Sequence, residues 1–443
     1  MYAISFFGLG RVGLTMAACF ASRDFRVIGF DVNEEKVKII NRGKAPFFEP
    51  ELDVLVKDSV EKGLLRATTN PSEAILNADL TFITVGTPSA PDGSIDLRYV
   101  KSALALIGES LRHKENWHLV VLKSTVVPTT TERVVKPIIE EVSSKRCGYS
   151  FGLCVNPEFL REGSAVRDVF KPDRIIIGEF DKRSGDTLED FYGKFYGEET
   201  PPTIRTTPVN AELIKYASNA FLAMKVSFIN MIANLCQKLP GADVNVVAEA
   251  IGLDKRIGSL FLKAGAGGGG PCFGKDLAAL KKFAESLGAS TSLIDATIQV
   301  NEQQPLNLIK LAEKHLGNLK GKRIAILGLS FKPNTDDITD APSIKLVRGL
   351  LDEGAEITVY DPKTMENFRG LFGNSIKYAF DATSCIKGAD CAIIVTEWKE
   401  FKNIPPEIFL ELMRTPLLIE GRRIYPPKEY SKHLKFEAIG YSP

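Results

Sequence analysis

The run from Ala3 to Asp31 constrains the fold more than any other stretch of this chain. An apolar segment, AISFF, passes at once into Gly8-Leu9-Gly10-Arg11-Val12-Gly13. The helical pattern VGLTMAACFAS follows, then a second apolar run, FRVIGF, which ends on Asp31. Strand, glycine turn, helix and strand in this order suit a dinucleotide. The glycines permit a tight turn, close approach of a pyrophosphate and close helix–strand packing, with the helix N-terminus facing the phosphates. Asp31, 18 residues after the last glycine, would accept hydrogen bonds from the adenosine ribose hydroxyls. A 2′-phosphate would be repelled there, so the pattern favours NAD over NADP.

The runs LTFITVGTP (80–88), LVVLKSTVVP (119–128) and RIIIG (174–178) continue the rhythm. Strands alternating with helical patterns predict a doubly wound sheet, with ligands beyond the carboxyl ends of its strands. Thr87 and Thr125 both fall just past such an end; Thr125 is equally consistent with a helix cap or a turn. In the segment Asn156-Pro157-Glu158-Phe159-Leu160-Arg161-Glu162-Gly163, the two carboxylates four apart share a face if the segment is helical. That suits either water activation or a solvated helix surface. Asp181 to Pro202 reads as the exit from this first domain.

Thr207-Pro208 reads as an N-cap followed by proline at the first helical position, and Pro240-Gly241 as a stop. Between them about 30 residues, or about 45 Å, form one helix that is apolar around most of its girth. Such a helix is buried on several sides and is expected to join two domains and contribute to a subunit interface. Lys215 and Asn219 point the same way on it; they fit an oxyanion site or an ordinary satisfied core pair. Asp243 caps the next helix and Gly252 ends it. The glycine-rich stretch AGAGGGGPCFGKDL (264–277) then opens into a helical pattern. Cys272 lies just ahead of that helix, where free N–H groups and the dipole favour a thiolate. Asp276, in the first turn, could position a water or share a proton with it. The alternative is a plain glycine loop with Cys272 as a small buried filler. A further helical stretch from about Ser292 to His315 is expected to be interrupted near Pro305.

The carboxy-terminal third repeats the opening theme. GKRIAILGLSF (321–331) is strand then glycine turn, and EITVYDP (356–362) again ends on an acid. Its turn lacks the later glycines, so no second dinucleotide is placed there. Lys332 and Arg422-Arg423 are cations suited to a phosphate-bearing ligand. The fold class predicted is α/β: two Rossmann-like doubly wound domains joined by a long central helix and an all-α middle domain. The expected boundaries are 1–200, 201–315 and 316–443. Composition narrows the function. A formal charge of +1 gives no bulk attraction for nucleic acid. Seven scattered cysteines without a C-x-x-C fit a reducing compartment, with neither a disulfide frame nor a metal site. With no signal-peptide pattern and no run of 18 apolar residues, a cytoplasmic chain with no membrane span is expected.

GLGRVG, TVGTP, KSTVVP, NPEFLREG, AELIKYASNAFLAMK, a glycine run ending PCFGKD, GLSFKPNTDD and EGRR occur in the order of the nucleotide-sugar dehydrogenases. The chain resembles the UDP-glucose/GDP-mannose dehydrogenase family along essentially its whole length. NPEFLREG and PDRIIIG are most similar to the UDP-glucose branch. The resemblance implies a four-electron oxidation of a sugar C6 alcohol, that of UDP-glucose, to a carboxylate with two NAD used in turn. Cys272 would carry a thiohemiacetal and then a thioester. Lys215 and Asn219 would stabilise oxyanions, Asp276 and Thr125 hold the water, and Glu158 assist hydrolysis. The cofactor would be held by Gly8, Gly10, Arg11, Val12, Gly13, Asp31, Lys36, Thr87, Thr125, Glu162 and Lys275. The substrate would be held by Glu158, Phe159, Leu160, Lys215, Asn219, Arg256, Gly269, Phe273, Lys332 and Arg422. Arg256 would reach across from the partner of a homodimer formed through the central helix. Only four histidines occur, none in a comparable setting, which disfavours a histidine-based mechanism.

The chain departs from the family at Gly268, Pro271 and Gly274, where an aromatic or alanine, a serine and a proline are usual. Thr339 stands in place of an arginine that contacts the cofactor diphosphate, so weaker or differently made NAD contacts are expected. Other nucleotide hexoses, GDP-mannose among them, are the nearest alternative substrates. A two-electron hydroxyacid dehydrogenase would have no use for Cys272, and a non-catalytic nucleotide-sugar-binding homologue would show no turnover.

Overall fold

The computed structural model describes residues 2–443. It divides into two compact units, the first ending at Ser218 and the second beginning at Asn219.

The first unit is built on eight strands: β1 (Ala3–Phe7), β2 (Arg26–Phe30), β3 (Leu65–Thr68), β4 (Leu80–Ile83), β5 (His118–Leu122), β6 (Phe151–Val155), β7 (Ile175–Glu179) and β8 (Thr203–Thr206). Their order in the sheet is β3-β2-β1-β4-β5-β6-β7-β8. All neighbours are parallel except β6 and β7. Buried on both faces, these strands read as continuous apolar runs such as HLVVL, not as alternations. The order reverses between β1 and β4, which opens a crevice beyond their carboxyl ends. Helix α1 (Arg11–Ala21) follows β1 directly.

The segment after Asp181 is not a plain exit. Asp181 caps helix α2 (Lys182–Tyr196), whose Phe191 and Phe195 pack edge-on against Phe20 of α1 at 5.1 and 4.7 Å. The sheet then gains β8 beyond it. Aromatic spacing outweighed the acidic, glycine-bearing composition.

Helix α3 (Pro208–Cys236) runs 29 residues across the boundary between the units. It begins where Thr207 Oγ1 accepts from the Asn210 N–H at 3.3 Å. By length and composition α3 is apolar enough to cross a bilayer, despite lacking an uninterrupted apolar run of 18. Two of its polar side chains on the second-unit side bond to the main chain of that unit. Ser227 Oγ donates to Thr297 O at 2.8 Å, and Asn230 Oδ1 accepts from the Gly265 N–H at 2.8 Å.

The second unit continues with a helix at Val244–Gly252, capped by Asp243, then α4 (Phe273–Ser286) and α5 (Ser292–Leu316). Pro305 does not interrupt α5, which is continuous through it. A proline there removes an N–H that would have bonded to Asn301 O. That carbonyl instead faces the glycine loop, 3.4 Å from where a Cβ on Gly267 would lie. Six strands complete the unit: β9 (Arg323–Leu327), β10 (Glu356–Tyr360), β11 (Lys377–Tyr378), β12 (Cys391–Ile394), β13 (Leu417–Glu420) and β14 (Lys435–Ala438). They lie in the all-parallel order β11-β10-β9-β12-β13-β14.

Candidate active site

At the head of α1 the chain turns so tightly that a Cβ on Gly13 would stand 1.9 Å from Gly8 O. Only glycine fits. Gly10, the N-cap, has open space on its Cβ side and no acid follows in the first turn. The first N–H groups of α1 are therefore accessible to an anion. Asp31, buried at the end of β2, accepts from Leu9 N–H at 2.9 Å, Asn33 N–H at 3.0 Å and Lys36 Nζ at 2.8 Å. These residues fit the pyrophosphate and ribose ends of a dinucleotide. Arg11 donates to Phe48 O at 3.1 Å and lies 3.6 Å from Glu162, with its guanidinium over the Phe47 ring. Val12 is half-buried beside it.

Beyond β4 and β5, Thr87 is buried and Thr125 half-buried. Ser124 Oγ ties the two loops together by donating to Val85 O at 2.6 Å.

NPEFLREG is not helical: residues 156–161 have no regular structure, so Glu158 and Glu162 share no helix face. Glu158 instead turns inward, where Lys215 Nζ donates to its main-chain O at 2.7 Å and to Oε1 at 2.8 Å. Leu160 N–H holds Oε2 at 2.7 Å. Burial alone would raise the Glu158 pKa, but the charge and hydrogen bond of Lys215, with the Leu160 N–H, bring it below the ordinary glutamate value. The Phe159 ring lies 5.4 Å from Lys215 Nζ and 4.1 Å from the Arg174 guanidinium.

In the second unit, Cys272 is the N-cap of α4. Five other cysteines are buried, Cys147 is half-buried, and Cys272 alone is exposed. That removes the filler reading. Asp276 is buried, and both its oxygens are held: Asn219 Nδ2 donates to Oδ2 and Lys275 Nζ to Oδ1, each at 2.6 Å. The loop before Cys272 threads between three walls. Gly265 lies against Gly421 O and Arg422, Gly268 is bracketed by the Asn301 amide, and Gly269 and Gly270 press on Phe331. Arg422 Nε donates to Val395 O at 2.5 Å and lies 3.5 Å from Glu397. Lys332 Nζ lies 5.3 Å from the Phe331 ring, and Phe273 packs on Phe261 at 6.2 Å. Arg256 stands on an exposed turn, paired to Asp254 at 2.6 Å. Among the described residues no cluster of His, Cys, Asp and Glu is arranged to hold a metal ion.

Two anchoring residues escape a reading of the sequence. Glu49, buried, accepts from Gly163 N–H at 2.9 Å and Ala165 N–H at 2.8 Å, closing NPEFLREG from 114 residues away. Glu212, on α3, accepts from Thr129 N–H at 2.7 Å and Thr131 N–H at 2.8 Å, fixing the loop that contains Thr125. No local spacing announces either one.

A glycine turn and buried acid in the first sheet, joined by one chain to a thiol displayed at a helix N-cap, define an NAD-dependent dehydrogenase. The sequence matches the UDP-glucose/GDP-mannose dehydrogenase family in its NAD binding domain over residues 2–196, its central domain over 209–303 and its UDP binding domain over 325–427. UDP-glucose 6-dehydrogenase AglM of Haloferax volcanii is 45% identical, covering 96% of this chain and 98% of its own. UDP-glucose 6-dehydrogenase TuaD of Bacillus subtilis is 38% identical, over 100% and 92%. The structure of a UDP-glucose dehydrogenase from Pyrobaculum islandicum superposes with a TM-score of 0.92 at 40% identity, covering 100% and 98%. The chain belongs to the UDP-glucose/GDP-mannose dehydrogenase family.

Proposed function

We propose that this enzyme is a UDP-glucose 6-dehydrogenase that oxidises the C6 alcohol by four electrons to UDP-glucuronate. The relatives that match it along nearly its whole length bear that activity in their names. The observation that carries the covalent step is the exposed Cys272 at the N-cap of α4, followed one turn later by an Asp276 locked by Asn219 and Lys275.

Bound NAD, held by the turn from Gly8 to Gly13 and by Asp31 and Lys36, supplies the hydride acceptor, one molecule per two electrons. Loss of a proton and a hydride turns the alcohol into an aldehyde. The Cys272 thiolate adds to the carbonyl carbon, and the thiohemiacetal oxygen is held by Lys215 and Asn219. Loss of the second hydride leaves a thioester. Water, positioned by Asp276 and Thr125 with help from Glu158, breaks the C–S bond, releasing the carboxylate and restoring the thiol. In balance, alcohol, two NAD and one water give carboxylate, two NADH and three protons. Removing one oxyanion donor should lower turnover by about 10²–10³.

The same reading gives residues 1–200 to NAD, 201–315 to the central helical domain and 316–443 to the nucleotide sugar. It also makes the enzyme a cytoplasmic homodimer. Support for the dimer is an exposed apolar stripe on α3, with Phe221, Phe228 and Leu235 recurring every seven residues. Such a stripe suits a partner helix.

The experiment is NADH formed per mole of limiting UDP-glucose, with GDP-mannose in parallel and Cys272→Ser alongside. Two NADH per UDP-glucose, stalled by the serine, is the expected result. One NADH, or indifference to Cys272, would replace this reading with a simple alcohol dehydrogenase.

A further inference from the structure

Lys123 follows β5 and is buried beneath NPEFLREG, yet among the described residues no carboxylate lies within ion-pair distance of it. Its Nζ donates to Asn156 Oδ1 at 2.7 Å and to Asn156 O at 3.2 Å, with Tyr192 OH at 3.5 Å. The Tyr192 phenol donates to the same Oδ1 at 2.5 Å, and Asn156 Nδ2 donates to Ile176 O at 2.7 Å. Asn156 is thereby fixed at every polar atom of its side chain, two residues before Glu158. A buried ammonium group with only neutral oxygens for partners is costly to keep. Methionine or glutamine would fill the space without a charge.

We propose that Lys123 is a positioning residue for the oxidation. It pins Asn156, so that the main-chain and carboxylate oxygens of Glu158 both meet Lys215, and its charge helps keep that carboxylate ionised. The inference rests on the reading that Lys215 and Glu158 serve catalysis. Support comes from the groups facing it: Asn156 and Glu158 from the loop after β6, Tyr192 from α2, Lys215 from α3, and the Phe82 ring of β4 at 6.0 Å. Burial pushes the Lys123 pKa down to about 7, against the pull of Glu158 and with the push of Lys215. Reciprocally, Lys123 is one of the charges that lower the pKa of Glu158.

The test compares Lys123→Met and Lys123→Gln for kcat, for KM of NAD and UDP-glucose, and for the pH dependence of kcat. Misplacing Glu158 should lower kcat by about ten- to a hundredfold, with KM for NAD unchanged within about twofold. Without the Lys123 charge the Glu158 pKa rises, so the acid limb of kcat should move to higher pH in both variants. Glutamine, which can still donate to Asn156, should recover part of kcat but not the limb. Lys215→Ala and Glu158→Gln run beside them. If those two keep full turnover, the catalytic reading itself is wrong. If they lose it while the Lys123 variants keep kcat and limb, only this proposal falls. Failure of both Lys123 variants to fold would make the lysine a folding residue and overturn the proposal too.

Discussion

Asn301 and Asp340 explain, at the residue scale, why the loop before Cys272 has its composition. Asn301 Oδ1 accepts from the Gly268 N–H at 2.7 Å and its Nδ2 donates to Gly268 O at 3.0 Å, so one amide brackets both main-chain polar groups of a single residue. A Cβ on Gly274 would lie 2.7 Å from Asp340 Oδ2, and Gly270 N–H donates to Thr339 O at 2.8 Å. The departures at Gly274 and Thr339 thus meet at one contact between the loop and the segment before the helix at Pro342–Asp352. A proline at 274 would require Asp340 to move. Asn301→Ala removes two hydrogen bonds, which should cost about 2 kcal/mol. That cost falls on the loop, so kcat is expected to drop at least tenfold, by about 1.4 kcal/mol in barrier. The thermal midpoint should stay within a few degrees of wild type; equal losses in both would deny the loop its separate role.

At the scale of elements, α3 holds the Thr125 loop through Glu212, and this contact titrates. Burial raises the Glu212 pKa to about 7, against the opposing effect of its hydrogen bonds from Thr131 and Thr129. A carboxyl whose folded value exceeds its unfolded value binds more protons when folded. Its contribution to stability is therefore complete below about pH 4.5 and is lost as pH rises through about 7. The full span is worth about 3 kcal/mol. Denaturation midpoints should fall between pH 5 and 8, and Glu212→Gln should flatten that slope at some cost in absolute stability. A slope unchanged in the variant would remove Glu212 as its source. The two sheets also show what one element does with the same motif. At the end of β10, Asp361 accepts from the Leu329 and Ser330 N–H groups of its own turn, and from Trp398 Nε1 at 2.9 Å. Ser330 Oγ and the Lys363 and Thr364 N–H groups donate to it as well. The acid of the second unit is spent on its own fold, whereas Asp31 accepts from only Leu9, Asn33 and Lys36 among the described residues.

On the scale of the whole molecule, the exposed Phe221, Phe228 and Leu235 of α3 are the apolar surface that a second copy would cover. Phe228→Glu should shift the enzyme from dimer to monomer in light scattering. A wild type already monomeric, or a variant still dimeric, would place the interface elsewhere. If the dimer forms, heat or denaturant midpoints should rise with protein concentration, because association adds to the stability of the folded chain.

Local physics makes much of this legible in the sequence. Two doubly wound units, the NAD turn with Asp31, the single long α3 and the place of Cys272 just ahead of a helix all follow from patterns a few residues long, whereas the exposure of its thiol was decided by the tertiary structure. Periodicity, glycine spacing and caps act over that range, so sequence alone fixes them. Tertiary structure decided the rest. Glu158 met Lys215, and Asn219 met Asp276, each across 57 residues, and Glu49 reached Gly163 across 114. NPEFLREG lost its helical option because Lys215, Lys123 and Glu49 bind its polar groups from three directions. Pro305 stayed within α5, with the glycine loop beside the carbonyl left without its helical N–H. Contacts between distant segments carry no spacing that a sequence can display, and only packing selects which of the locally allowed conformations survives.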